Sequence, residues 1–444
     1  MRDILLTAII FLGLTQVISR PYVGVYLWTW LSLMNPHRLT FGFAYSLPFA
    51  QIIAGITLLG LFLGKQRKLN VWAPESVLML ILLIWVGITT FFALNPDGAF
   101  RELDRFAKTI LFIFITLTLI SDRQKLNWLV WIYALSLGFY GVKGGIFTIA
   151  TGGSARVWGP PGSFIGGNNE VALALLMTIP LMRYLQLQTS NKILRLGLIG
   201  AMLLTSVAVL GTQSRGAFLG IMMIGLFFWW KSPYKLGASV MVGVIAGVIL
   251  MFMPQSWWDR MNTIETYEQD ASAMGRINAW WVAFRMANYS VTGGGANMFT
   301  WQAFDMFAPN PEDVHDVHSI YFEMLGEQGW IGLAMFLTLL LLAWIRCARL
   351  AKLGKKHPNL KWASDLGLML QVSMIGYCTA GAFLGLAYFD YIYDLVATAI
   401  IAWKISQIEL QEGTAPPQEP VPPGGHKELR KRSLFPGRPS ALRH

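Results

Sequence analysis

Residues 318–346 read HSIYFEMLGEQGWIGLAMFLTLLLLAWIR, and this stretch decides the fold. Beyond Gln328 it carries no charge until Arg346. A helical run of about 18 or more apolar residues is long enough to cross roughly 30 Å of hydrocarbon. Working outward, comparable runs recur near 4–19, 43–63, 76–94, 106–121, 127–150, 170–187, 193–210, 215–230, 235–253, 366–388 and 391–408. Hydrophobic residues make up 55% of the 444 and charged residues only 13%. Mean hydropathy is +0.49. No single buried core absorbs that much apolar sequence, whereas lipid does. A backbone in lipid satisfies its polar groups internally, and these runs are too long for barrel strands. The expected class is all-α: a polytopic transmembrane bundle of about 12 helices.

Basic residues orient it. Lys65, Arg67 and Lys68, then Arg123 and Lys125, Lys192 and Arg195, Lys231 and Lys235, and the group from Arg346 to Lys361 fall on one side when the spans alternate. So do Lys427, Arg430, Lys431 and Arg432 in the tail. The positive-inside rule makes that side the cytoplasm. The net charge of +11 is therefore an orientation and lipid-contact signal, and no motif supports nucleic-acid binding. The N-terminal run lacks a cleavage site and reads as a retained first helix. The short stretch 22–34, with Trp28, Trp30 and then Asn35-Pro36, suits an interfacial element. That choice puts both termini in the cytoplasm.

The opposite, non-cytoplasmic face receives 151–169, the turn 211–215 and the long loop 254–317. The loop's tryptophans favour a membrane-hugging helix near 277–287, and 97–108 reads as a second interfacial helix. Residues 1–410 form the membrane domain. Residues 411–444, rich in proline and basic side chains, read as a disordered cytoplasmic tail.

Arginines on the external face run against the positive-inside rule. Arg156, Arg215, Arg276 and Arg285 all fall there. One alone reads as snorkelling to lipid phosphates. Several in one loop system point to a bound anion, because the guanidinium fork suits phosphate. His318, at the junction of loop and apolar span, is placed to be a general base. His315 lies beside it. The DVHDVH spacing at 313–318 matches no strong zinc signature, and no metal is expected. Cys347 and Cys378 offer no disulfide framework. Lys143, Glu323, Asp390 and Asp394 are charges within apolar sequence, and GGGAN at 293–297 reads as a turn. There is no GxxxxGK[ST] pattern, and no cofactor is expected.

Several of these segments resemble a family. RPYVGVYLWTWLSLMNPHRLTFGFAYSLPFAQI near the start, GPPGSFIGGNNEVALALL, TQSRGAF and HSIYFEMLGEQGWIG are similar, in order and sidedness, to motifs of the O-antigen ligase and polymerase superfamily, in particular its O-glycosylation ligase branch. Ser319 stands where the family usually has asparagine. The resemblance spans about residues 1–410. It implies a bacterial inner-membrane enzyme that moves a glycan from an undecaprenyl-diphosphate carrier to an acceptor hydroxyl. For a ligase the acceptor is a lipid A-core sugar. A polymerase would use a repeat unit, and an O-oligosaccharyltransferase a protein. His318, Arg215 and Arg276 would be catalytic. Arg156, Asn168, Asn169, Arg285 and His315 would bind substrate. A lipid-linked glycan transporter is the reading from another class. It would place its charges near the midplane.

Overall fold

A computed structural model describes residues 1–64, 68–231, 234 and 271–414. The expected span 235–253, the first part of the long loop and the tail beyond Thr414 lie outside the described residues. Met1–Ile405 form one compact unit, and a second begins at Ser406.

The described residues are helical and contain no strand. In chain order the helices are α1 (Arg2–Val17), α2 (Tyr22–Met34), α3 (Phe49–Leu63), α4 (Pro74–Thr90), α5 (Pro96–Leu119), α6 (Arg123–Ala150) and α7 (Asn168–Gln188). They continue as α8 (Lys192–Gly211), α9 (Arg215–Lys231), α10 (Ala271–Tyr289), α11 (Trp301–Phe307), α12 (Ile320–Lys356), α13 (Lys361–Ala380) and α14 (Asp390–Thr414). Five helical stretches are long and apolar enough to cross a membrane: α6, α7, α8, α12 and Pro358–Phe383. α3, α4 and Arg215–Trp230 are shorter apolar helices.

Local chemistry sets the boundaries. Asn95 accepts from Gly98 N–H and Pro96 follows it, so α5 starts there. Asp122 caps α6 through Lys125 N–H, and Asn191 caps α8 through Ile193 and Leu194 N–H. Between helices the backbones approach closely at small residues. Gly145 of α6 leaves no room for a Cβ against the Leu204 carbonyl of α8, and Gly141 abuts Thr205. Gly367 of α13 presses on the Cys347 carbonyl of α12. In α7, which contains Pro180, the Met177 carbonyl takes the Ser373 hydroxyl at 2.7 Å.

The bundle has two chemically distinct ends. At the basic end, Leu69 N–H donates to Thr118 O at 3.0 Å, Tyr26 donates to Lys125 O at 2.9 Å, and Gln188 donates to Asp365 at 3.1 Å. Arg346 grips Glu75 there through two bonds of 2.6 and 2.7 Å. At the distal end gather the last turns of α4, α6, α8 and α13 and the first turns of α5, α7, α9, α12 and α14.

Two expectations change. Residues 22–34 form α2, which runs within the bundle beside α6: Tyr26 meets the start of α6 at Lys125, and Met34 O accepts from Tyr140 much further along it. A helix of that length rises only about 20 Å, which is why its sequence reads as too short to cross. α1 and α2 form a hairpin. Val17 and Pro21 pack on Gly60 near the basic end of α3, while Asp3 accepts from Gly42 and Ala44 N–H. Met1 therefore lies at the distal end, opposite to the expected side. The second change concerns 97–108, which is no separate interfacial helix. It is the first half of α5, continuous to Leu119.

Candidate functional site

The distal end is organised by a break in α12. Gly329 has φ 66° and ψ −174°, a conformation reserved for glycine, so the helix is interrupted after Gln328. The carbonyls released by the break find donors elsewhere. Gly294 N–H reaches Gly326 O and Gly295 N–H reaches Glu327 O, each at 2.9 Å. The Trp85 indole donates to Gln328 O at 2.9 Å. This explains the GGGAN turn. Gly293 and Gly295 adopt positive φ, so that bare backbone can lie against the broken helix. Asn297, also left-handed, gives its N–H to Glu327 Oε1 at 2.7 Å.

Beside the break lies a cavity of about 520 Å³. Its walls come from α5 (Glu102, Arg105), the 151–167 loop (Phe164), the 297–299 segment, residues 314–317 including His315 and Asp316, the first turns of α12 (Glu323, Glu327), and Tyr388 before α14. Arg105 is bound to Glu102 at 2.5 Å, and its guanidinium lies 3.6 Å over the Phe164 ring. Glu323 accepts from Ala387 N–H at 2.8 Å. Gln328 donates to Tyr388 at 2.9 Å and accepts from Thr89 at 2.6 Å.

His318 sits just before the N-cap of α12 with φ 41°. Of the four non-glycine residues with positive φ among the described residues, Gln213, Asn297 and His318 are at this end's site. A strained backbone persists only where its surroundings hold it. α10 does the holding. Asn278 donates to Asn310 O at 2.7 Å and Asp313 O at 3.0 Å, and Trp280 donates to Val317 O at 2.9 Å while stacking on Phe322. Arg276 lies on the same helix. The Asp316 carboxylate is 3.5 Å from His318 Nδ1, and Asp313 is 2.7 Å from His315 Nδ1. Burial holds the His318 imidazole below the ordinary histidine value, and the Arg276 and His315 charges push the same way against Asp316.

A second cluster adjoins. Arg156 donates to Gln213 at 3.2 Å, Gln213 donates to Gly153 O at 3.1 Å, and Asn168 donates to Thr212 O at 3.0 Å. These bonds pin the 151–167 loop onto the turn before Arg215, the first residue of α9. Asn169 is half-buried in the first turn of α7. The two clusters meet through Glu170, whose charge interacts with Asp316. They also meet at residues 380–383, which touch both Gly216 and Ile320.

The sequence-predicted residues therefore separate. His318, His315 and Arg276 come together, Arg156, Asn168 and Arg215 share the adjoining turn, and only His315 of the eight lines the cavity. Arg285 faces outward. It donates to Phe307 O at 3.0 Å and lies 5.8 Å over Trp281. Sequence reading missed Glu102, Arg105, Glu327, Asn278 and Trp280. Charge in otherwise apolar sequence was the available signal for Glu327, whereas Glu102 and Arg105 lie in a polar stretch. Among the described residues, no group of three or more His, Cys, Asp or Glu side chains is arranged to hold a metal ion.

Residues 200–337 match the O-Antigen ligase family. Residues 1–190 match a family of unknown function (DUF5935). No curated protein matches the chain. The O-Antigen ligase match encloses Arg215, Arg276 and His318, together with the break at Gly329.

Proposed function

We propose that this chain, whose residues 200–337 form a domain of the O-antigen ligase and polymerase superfamily, transfers a glycan from undecaprenyl diphosphate to an acceptor hydroxyl. The acceptor is a lipid A-core sugar, and the reaction takes place on the periplasmic face of the bacterial inner membrane. The observation that carries this reading is His318: a partly buried imidazole, fixed in a left-handed backbone, with Arg276 and Asp316 acting on it.

A depressed pKa keeps His318 neutral at physiological pH, as a general base requires. The acceptor hydroxyl gives its proton to the imidazole as its oxygen bonds to the anomeric carbon. The bond from that carbon to the diphosphate oxygen breaks on the opposite face, so the anomeric centre inverts. The electron pair leaves on the diphosphate, where Arg215 and Arg276 stabilise it, with Arg156 as a further contact. Asp316 stabilises the imidazolium. The diphosphate is itself a good leaving group, so no nucleotide is consumed. Sidedness is supported by charge: Lys68, Arg123, Lys125, Arg195, Arg346, Lys352 and Lys355 all belong to the basic end.

Reconstitution with a lipid-linked glycan and competing core-lipid, repeat-unit and protein acceptors tests the reading. Transfer to core lipid that is lost in His318→Ala, in protein that still folds and inserts, is the expected result. Near-normal transfer by that variant removes the base. Arg215→Lys and Arg276→Lys are each expected to slow transfer about tenfold or more, because lysine lacks the planar fork. Normal rates in both would reduce the arginines to lipid contacts.

A further inference from the structure

We infer that the carboxyl-lined cavity is the acceptor-sugar site and that it selects an uncharged, hydroxyl-rich ring over one bearing a phosphate or carboxylate. The inference rests on the transferase reading above and adds the substrate class of its second site.

The lining is lopsided in charge. Among the described residues it holds four carboxyl groups, Glu102, Asp316, Glu323 and Glu327, and Arg105 is its one lysine or arginine. Arg105 is already committed, bound to Glu102 and laid on Phe164. An anionic sugar would need a cationic partner, and the described lining holds no uncommitted guanidinium to supply one. Burying an anion without a paired cation is costly, whereas a hydroxyl-rich neutral ring finds hydrogen-bonding partners in the carboxyl groups. The anion-gripping candidates, Arg156, Arg215 and Arg276, are not among the lining residues. Donor diphosphate and acceptor ring thus have chemically separate places.

The wall also holds a carboxyl group with hydrogen-bonding capacity to spare. Glu327 is only 4% exposed. Its Oε1 takes the Asn297 N–H, while its Oε2 has no hydrogen-bond partner meeting normal geometry, with the Tyr388 phenol as a neighbour. A carboxyl group takes more than one hydrogen bond, and a sugar hydroxyl supplies a further partner. Phe164, backed by Arg105, offers an aromatic face to the C–H side of a pyranose. The volume, about 520 Å³, falls in the range of roughly 300–1,000 Å³ usual for small-ligand sites. Asp316 and Val317 belong to the wall, and His318 is the next residue along the chain.

Saturation-transfer NMR on the full chain in lipid nanodiscs tests this, with methyl β-glucopyranoside and methyl β-glucuronide as probes. The glucoside is expected to bind about tenfold more tightly than the glucuronide, and Glu327→Gln to weaken glucoside binding by a similar factor. Phe164→Ala, a change in a loop, should weaken it too and covers the case in which Glu327→Gln does not fold. Glucuronide binding as tight as glucoside, no glucoside binding by the unmodified protein, or no effect of either substitution would overturn the assignment. His318→Ala should bind glucoside normally while losing transfer. Absence of transfer from any lipid-linked donor would remove the transferase reading and leave the binding preference standing.

Discussion

Trp280 of α10 donates its indole N–H to the carbonyl of Val317 at 2.9 Å, one residue before His318. The same indole stacks on Phe322 in the first turn of α12, with ring centroids 4.8 Å apart. One side chain therefore ties the helix that bears Arg276 to both flanks of the histidine.

Trp280→Phe should keep the stack and lose the bond. Removing a single positioning hydrogen bond of this kind is expected to cost about 1–3 kcal/mol. The loss should appear in kcat for glycan transfer, with the donor KM little changed, because the imidazole drifts while the arginines stay. A raised donor KM with normal kcat would mean that Trp280 supports the donor site instead.

With His318 as the proposed base, its environment predicts the pH dependence of transfer. A general base works unprotonated, so transfer should rise with pH through a midpoint below the ordinary histidine value of about 6.5 and be level above it. Arg276 is one of the groups holding that midpoint down, so Arg276→Gln should move it up. Asp316 opposes, so Asp316→Asn should move it down. Residual activity suffices to read the midpoints from initial rates. Shifts in the reverse directions, or none, would show that another group governs the profile.

Much of this architecture is legible in the chain. The bounds of α7, α8 and α9 follow from long apolar runs bracketed by Asn168, Asn191 and the GTQSR turn. The break at Gly329 is less visible, since the hydropathy of 318–346 runs on through it. Only the positive φ and the partners Gly294, Gly295 and Trp85 reveal two helical pieces. Glu102 and Arg105 fall within 97–108, whose polar residues make it read as an interfacial helix. Their true surroundings are set by residues far away in the chain, Phe164, Glu323 and Tyr388, which no local pattern contains. External arginines drew attention to anion binding because they violate a rule. Of the cavity's carboxyls, Glu323 stands out as a charge within apolar sequence, but no local pattern joins it to Glu102, Asp316 and Glu327.

At the basic end the Glu75–Arg346 pair is nearly dry, with side-chain exposures of 3% and 12%. Removing one member of such a pair strands a buried charge and costs about 3–5 kcal/mol. Arg346→Ala should therefore lower the thermal midpoint of the detergent-solubilised protein markedly. The double variant Glu75→Ala with Arg346→Ala should recover part of the loss, since no lone charge remains. A double variant as unstable as the single would point to lost packing between α4 and α12 instead. Catalysis should be little affected in any variant that folds, because the pair lies at the other end from His318.

The course of α1 and α2 yields the last prediction. If 22–34 lay along the membrane surface, residues 18–21 would face the periplasm with the site. In the structure Pro21 packs on Gly60 and Gly64, and Lys68 reaches back to Leu61 O, so the 18–21 turn belongs to the basic end. Arg20 in that turn then obeys the positive-inside rule, and the stretch Gly42–Ala44, bound by Asp3, belongs with the site. In a variant lacking Cys347 and Cys378, Ser19→Cys should react only with reagent supplied from the cytoplasm, and Phe41→Cys, at 89% exposure, only with reagent supplied from outside. Outside labelling of both positions would restore the surface-lying element and return the N-terminus to the cytoplasm. Labelling of Phe41→Cys from the cytoplasm would invert the whole bundle and place His318 on the wrong side for a periplasmic acceptor.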